Sequence, residues 1–153
     1  GEAFGMRILV YSRTKKDLSG FKTAENVDLD TLLNNSDFIT CHCPLTPETT
    51  GLINKKTLSA MKQTAVLINT SGGPVVDEQA LADALNADKI SGAAVDVLSA
   101  EPATRDNPLL SAKNCIITPH IAWAAKETRA RLISILEENL NAYLNGKPQN
   151  KVN

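Results

Sequence analysis

Short, continuous apolar runs alternate along the chain with segments whose apolar residues recur at helical spacing. Apolar runs without polar alternation are typical of strands in a parallel sheet that is covered on both faces. The predicted strands are Arg7–Tyr11, Asp37–Cys43, Thr64–Asn69, Ser91–Val97 and Cys115–Thr118, with a minimal strand at Val27–Leu29. The predicted helices are Leu29–Asn35, Asn54–Met61, Glu78–Ala87 and Ala124–Leu144.

Because strands and helices alternate throughout, we expect an α/β fold with helices on both faces of a parallel sheet. In the predicted helix that starts at Glu78, Asp77 is a good N-cap, and Leu81, Ala84 and Leu85 share one face. Chemistry in such sheets lies at the carboxyl ends of the strands. The polar segments at those ends are Ser12–Thr14, His42–Pro44, Asn69–Gly73, Asp96–Pro102 and Thr118–Trp123.

The composition fits this picture and narrows the function classes. The chain has 153 residues, is 42% hydrophobic and 22% charged, and carries a net charge of −1. These values indicate one globular domain and give no electrostatic reason to expect nucleic acid or an anionic membrane as a partner. No apolar run approaches the roughly 20 residues that span a bilayer, and no secretory signal is evident.

The cysteines and the first residues indicate where the chain comes from. Two of the three cysteines, Cys41 and Cys115, lie in apolar strand-like runs, which favours a reducing cytoplasm. The chain starts at Gly1 without a methionine and soon enters a strand. We therefore expect it to be part of a longer protein.

His120, Glu101 and Asp96 are the candidates for acid–base and ligand chemistry at the strand ends. A histidine paired with a carboxylate is a sound proton shuttle, but a lone histidine is more often structural, and Glu101 could equally be a solvated loop residue. Asp96 closes a strand, where it could accept a hydrogen bond from a ligand amide or cap a turn.

The segment Ser12–Thr14 follows the first predicted strand. In dinucleotide-binding folds an acid near this point binds the ribose 2′-hydroxyl of NAD, whereas an arginine accommodates the 2′-phosphate of NADP. Here the acid is absent, and Lys15 and Lys16 follow Arg13. A solvated basic loop is the alternative.

A metal site is not expected. Cys41 and Cys43 share a strand face, but Cys115 is distant in sequence, and a structural zinc site needs four ligands.

Four linked motifs resemble the D-isomer-specific 2-hydroxyacid dehydrogenases, and within them the glycerate dehydrogenase/hydroxypyruvate reductase group, which Trp123 suggests. They are Asp37–Ile53, Leu67–Leu81, Gly92–Pro102 and Thr118–Trp123, in the order and spacing of the family. The resemblance implies a Rossmann-like fold and hydride transfer between NAD or NADP and a small 2-hydroxy or 2-keto acid.

The resemblance also implies roles for individual residues. His120 would be the general acid/base on the substrate oxygen, with Glu101 as its partner, and Asp96 would hold the nicotinamide carboxamide or the nearby ring. Ser12, Arg13 and Thr14 would meet the adenosine ribose and favour NADP over NAD. The remaining cofactor contacts would come from Cys43, Pro44, Thr70, Ser71, Gly72, His120 and Ala122.

Gly72 departs from the family pattern, which has arginine where this chain has glycine in Asn69–Gly73. That arginine would grip the substrate carboxylate and polarise its carbonyl, whereas glycine has no side-chain donor; Arg105 remains a possible substitute. The loss of such a contact is worth roughly 3 kcal/mol or more, a hundredfold in rate. We therefore expect this chain alone to be inactive.

The family also places its first strand and Gly-rich loop upstream of Gly1. We accordingly expect residues 1–153 to form a partial dinucleotide-binding domain, with a helix at about 124–145 returning toward a substrate domain that is mostly absent. The central strand would be missing, which would leave unpaired edges on Arg7–Tyr11 and Thr64–Asn69. Such edges invite pairing with another chain, so a homo-oligomer is expected.

Two alternatives remain open. The chain could be a catalytically dead assembly or ligand-sensing module of the same fold, which Gly72 supports. It could also belong to a sibling enzyme that acts on lactate or phosphoglycerate.

Overall fold

The computed structural model describes residues 1–152, which form two compact units, Gly1–Pro119 and the part of the chain from His120 onward. The strands are β1 (Ile8–Val10), β2 (Ala24–Asn26), β3 (Phe38–Cys41), β4 (Val66–Asn69), β5 (Gly92–Val95) and β6 (Cys115–Ile117). The helices are α1 (Leu29–Asn35), α2 (Lys55–Ser59), α3 (Glu78–Asn86) and α4 (Lys126–Leu144). Short 3₁₀ turns lie at Glu2–Phe4, Gly73–Val75 and Pro108–Ser111.

Every strand pairing is parallel, as the apolar runs predicted. Strands β3, β4, β5 and β6 form a four-stranded sheet in that order, and β1 pairs with β2 in a separate two-stranded sheet. The last residues of the four strands lie side by side in the register, in the order Cys41, Asn69, Val95 and Ile117. The carboxyl ends of the four strands therefore finish level with one another, which brings the residues that follow them to one edge.

The expected position of the second unpaired edge is wrong. β4 has a hydrogen-bonded neighbour on each side, so the edge expected on β4 lies on β3; the other outer strand of this sheet is β6. The reason lies in β2, which has Glu25 at its centre and no apolar run. The sequence placed a minimal strand at Val27–Leu29 instead, whereas the strand lies at Ala24–Asn26. Leaving this strand out of the strand order displaces the expected edge by one strand.

Burial alternates along β3 and β4 of the larger sheet. Ile39 and Cys41 of β3 are buried, whereas Phe38 of the same strand is 60% exposed and Ile116 of β6 is 67% exposed. Complete burial of both faces, which the apolar runs predicted, therefore does not hold for β3 and β6. The core lies on the other side of the sheet, where the predicted face of α3 is buried at Leu81, Ala84 and Leu85. Asp77 is the N-cap of this helix, as predicted.

α4 is the longest element and begins two residues later than predicted. None of its residues is buried, and large apolar side chains such as Leu132, Leu136 and Leu140 are more than half exposed. Its expected return toward a substrate domain stays a prediction. Across residues 1–152, no helix has the length and apolar character needed to cross a membrane.

Candidate functional site

Three polar side chains meet where β4, β5 and β6 end. Asn69 closes β4, Asp96 follows β5, and Thr118 follows β6. The Asp96 backbone N–H donates to the Asn69 carbonyl at 2.9 Å, and the Thr118 hydroxyl donates to Asp96 Oδ1 at 2.5 Å. Asn69 and Asp96 are almost completely buried, at 1% and 5% exposure. Hydrogen bonds thus join the predicted strand-end segment of Asp96 to the segments of Asn69 and of Thr118.

Asn69 organises the turn that carries the predicted cofactor residues. Its Nδ2 donates to the Gly72 carbonyl at 2.9 Å, while its Oδ1 accepts from both the backbone N–H and the hydroxyl of Ser71 at 3.1 Å. Thr70 lies between them and is exposed. This role of Asn69 was not predicted, although an asparagine at the end of a buried strand, shortly before Ser71 and Gly72, is the signal of such a turn.

The two glycines of this turn have opposite surroundings. A Cβ atom on Gly73 would lie 2.1 Å from both the carbonyl carbon and oxygen of Leu98, so two backbone segments touch there. A Cβ atom on Gly72 would meet nothing closer than Leu45 Cβ at 3.4 Å, and its φ of −165° is ordinary extended backbone. Gly73 is therefore required by packing, whereas position 72 has room for a side chain.

The segment after β5 is held by carboxylates. The Leu98 N–H donates to Glu101 Oε1 at 2.8 Å, so Glu101 binds its own loop although it is exposed. The Ser99 N–H donates to Glu78 Oε1 at 2.6 Å, and Asn107 Nδ2 donates to Glu78 Oε2 at 2.9 Å. Glu78, whose role was not predicted, thus ties the start of α3 to the segment that carries Asp96 and Glu101.

The segment Ser12–Thr14, which was predicted to contact the ribose, lies beside a cleft at the end of β1. This cleft of about 480 Å³ is lined by residues that include Ser12, Arg13, Lys15 and Asp28. Asp28 caps α1, and the N–H of Thr31, 2.7 Å away, holds the pKa of that carboxyl below its usual range. Within residues 1–152, neither Arg13 nor Lys15 forms an ion pair. The cleft therefore offers cationic side chains and a carboxylate that is committed to a helix cap.

The loop between Ser12 and β2 is also tied down. The Ser12 hydroxyl donates to the Thr14 carbonyl at 2.5 Å. Lys16 and Asn26 exchange two hydrogen bonds, from the Lys16 N–H at 3.0 Å and to its carbonyl at 2.9 Å. These bonds hold the loop against β2.

The three cysteines are free thiols. Burial raises the pKa of Cys41 to about 11, and burial also raises the pKa of Cys115. Cys43 is half-buried after β3 and precedes Pro44, whose carbonyl accepts from the Thr49 hydroxyl at 2.7 Å. Among the described residues, no three His, Cys, Asp or Glu side chains are grouped so that they could hold a metal ion.

The remaining predicted residues belong to the second unit. His120 is its first residue and has a left-handed backbone with φ of 53°. Ala122 and Trp123 follow and are exposed. Arg105, the possible substitute for the missing arginine, is an exposed residue of the first unit.

Comparison with known proteins gives the family context. Residues 1–122 match the family described as D-isomer specific 2-hydroxyacid dehydrogenase, NAD binding domain. The chain is 49% identical over 152 residues to a hydroxypyruvate reductase of Blautia hydrogenotrophica, covering 99% of this chain and 47% of that protein. It is 45% identical over 153 residues to a glycerate dehydrogenase of Methylorubrum extorquens, with 99% and 46% covered.

Solved structures agree on the fold. An acyclic imino acid reductase in complex with NADPH and D-Arg matches with a TM-score of 0.88 at 37% identity, over 97% of this chain and 47% of that one. The fold is Rossmann-like α/β, as predicted. The chain spans about half the length of the relatives it matches.

Proposed function

Because the chain belongs to the D-isomer-specific 2-hydroxyacid dehydrogenase family, as an NAD-binding domain, we propose that it is the nucleotide-binding portion of an enzyme that interconverts glycerate and hydroxypyruvate, or a closely similar pair. The observation that carries the proposal is the joined set of Asn69, Asp96 and Thr118 at level strand ends, the place where α/β sheets bind ligands. The names of the two relatives, a hydroxypyruvate reductase and a glycerate dehydrogenase, support this substrate pair.

The described residues fit a dinucleotide. Gly72 carries no side chain, which suits close approach of a ligand to the backbone, and Asp96 supplies a nearly buried carboxylate for an amide. Thr70, Ser71, Cys43 and Pro44 would line the same ligand, and the adenosine end would meet Ser12, Arg13 and Thr14. The bound nicotinamide cofactor supplies or accepts the hydride of the reaction.

The proton chemistry is assigned to His120. Its imidazole would donate a proton to the oxygen of the keto acid during reduction and take it back during oxidation. The Glu101 carboxylate would orient the imidazole and stabilise its charged form. The support for both roles is the motif position of each residue, and Ala122 would add a cofactor contact.

We expect the chain to prefer NADPH to NADH because of Arg13. In the cleft the Arg13 guanidinium has no competing ion pair within residues 1–152, and the nearby Asp28 is held by its helix cap. A charge-assisted bond to a 2′-phosphate should make Arg13→Ala weaken NADPH binding about tenfold and NADH binding less than twofold. Binding is expected in the roughly millimolar range, and chemical-shift titrations measure it.

Lys22→Ala is the matched control, because Lys22 is an exposed cation of the same unit. It should leave both affinities unchanged. Equal losses for NADPH and NADH in Arg13→Ala would contradict the NADP preference, and micromolar binding by the unmutated chain would contradict the weak binding.

The chain alone is proposed to have no appreciable turnover. Gly72 offers no donor to a substrate carboxylate, and the relatives are about twice as long. The same glycine favours the second candidate function, a catalytically dead assembly or ligand-sensing module. The two candidates differ in whether an arginine at position 72 creates turnover.

Self-association is the proposed consequence of the unpaired strand edges. Among the described residues, β1 and β2 pair only with each other, β3 pairs only with β4, and β6 pairs only with β5, so each leaves a row of backbone donors and acceptors. Light scattering coupled to size-exclusion chromatography should give a mass that rises with concentration between about 10 and 500 µM. A constant mass of 16.4 kDa over that range would contradict this.

A reducing compartment, the cytoplasm, is the proposed location. The support is the set of three free thiols, of which Cys41 is buried in the core.

A further inference from the structure

We propose that Thr118 is a positioning residue that fixes the Asp96 carboxylate for the carboxamide of a nicotinamide cofactor. The inference rests on the proposed function, since it takes from it the contact between Asp96 and the nicotinamide. It assigns to Thr118 a part in cofactor selection that neither its sequence motif nor its place in the strand requires.

The geometry of Thr118 is fixed on its backbone side. Its N–H donates to the Val95 carbonyl at 3.0 Å, so β6 holds the residue in register one position beyond the strand. Pro119 follows and restricts the backbone of Thr118 to extended conformations. The hydroxyl therefore reaches the Asp96 carboxylate, directly after the neighbouring strand β5, from a rigid position.

The direction of the hydrogen bond is also fixed. The Thr118 hydroxyl is the donor and Asp96 Oδ1 the acceptor, at 2.5 Å. Because a carboxylate is planar, holding Oδ1 also sets the direction of Oδ2. The Asp96 backbone is held separately by its bond to the Asn69 carbonyl at 2.9 Å. Main chain and side chain of Asp96 are thus fixed by two different strands.

A fixed carboxylate is selective for one part of the cofactor. An amide N–H must meet the acceptor with good distance and angle to gain a hydrogen bond. A carboxylate that rotates freely must be ordered when the ligand binds, and this ordering costs part of the free energy of the hydrogen bond. The adenosine and ribose parts of the cofactor carry no amide group that could donate a hydrogen bond to Asp96. Their binding should therefore not depend on Thr118.

The experiment compares NADH with ADP-ribose, which lacks the nicotinamide, on the 153-residue chain by chemical-shift titration. Thr118→Val keeps the branched shape and removes the donor, and we expect it to weaken NADH about five- to tenfold and ADP-ribose less than twofold. Thr118→Ser keeps the hydroxyl and should stay within about twofold of the unmutated chain for both ligands. Unchanged binding of ADP-ribose also shows that the valine variant is folded.

A second comparison tests the route through Asp96. In an Asp96→Ala background, Thr118→Val should cause no further loss of NADH affinity, because no side-chain acceptor is left at position 96 for the hydroxyl to hold. Additive losses would overturn the inference. So would a loss in Thr118→Val that is equal for NADH and ADP-ribose, which is the sign of a merely structural role, or a loss of the same size in Thr118→Ser.

The proposed function fails in a different way. If the unmutated chain binds neither NADH nor ADP-ribose, cofactor binding itself is contradicted before any variant is made, and the inference is overturned with it. If the unmutated chain binds both ligands equally well, cofactor binding stands and only the positioning role is overturned.

Discussion

Replacing Gly73 by alanine is expected to destabilise the chain by about 3 kcal/mol, the upper part of the range for overpacking in a close contact. The added Cβ would lie 2.1 Å from the backbone of Leu98, and a backbone segment cannot move aside as a flexible side chain can. Relief requires displacing Leu98 and Ser99, which breaks the 2.6 Å bond from the Ser99 N–H to Glu78. Urea denaturation followed by circular dichroism measures the change.

Gly72→Ala is the matched control for this experiment. It makes the same chemical change one residue away, where the new Cβ would meet Leu45 Cβ at 3.4 Å. Since its φ of −165° suits any residue, we expect a stability within about 0.5 kcal/mol of the unmutated chain. Equal destabilisation by the two variants would show that the close approach at Gly73 is not what holds the segment.

Placing arginine at position 72 is expected to raise keto-acid reduction at least about a hundredfold, because a charge-assisted contact to the substrate carboxylate is worth roughly 3 kcal/mol. The structure accepts a Cβ at position 72 without a clash, since its nearest neighbours would be Leu45 Cβ at 3.4 Å and Val75 Cγ2 at 3.7 Å. The test uses a hybrid in which this chain replaces the matching 152 residues of the Blautia hydroxypyruvate reductase, which restores the length of the relatives. Loss of NADPH absorbance with hydroxypyruvate measures kcat/KM.

The hybrid with Gly72→Gln is the control for side-chain bulk and neutral hydrogen bonding, and it should stay within about tenfold of the glycine hybrid. A glycine hybrid as active as the arginine hybrid would contradict the role assigned to the missing arginine. An arginine hybrid that binds NADPH but has no turnover would instead favour the assembly or ligand-sensing module.

The sequence predicted elements well wherever burial dictated the pattern. α1 and α3 begin at the predicted residues because Leu33 and the Leu81 face must be buried and because aspartates cap both helices. β2 was predicted at the wrong residues, Val27–Leu29. Its residues Ala24–Asn26 contain a central glutamate and gain their structure from pairing with β1, a long-range contact that leaves no local apolar run.

The site was predictable by segment and less so by contact. The topology of a parallel sheet places Asn69, Asp96 and Thr118 at one edge, and the apolar runs predicted that topology. The role of Glu78 was not predictable, because its bonds to Ser99 and Asn107 join residues 21 and 29 positions away. Neither was the difference between Gly72 and Gly73, since adjacent glycines look alike until the Leu98 backbone is placed against one of them.

The small sheet of β1 and β2 should open locally faster than the larger sheet. It has three residue pairs and no fully buried residue, and its cross-strand ion pair between Arg7 and Glu25 is exposed and adds little stability. Such a pair should open as a separate cooperative unit, with amide protons at Ile8–Val10 exchanging with solvent far sooner than those of β4. The adenosine end of the cofactor, which would contact Ser12–Thr14, would then bind to a segment that opens and recloses many times before the core unfolds once.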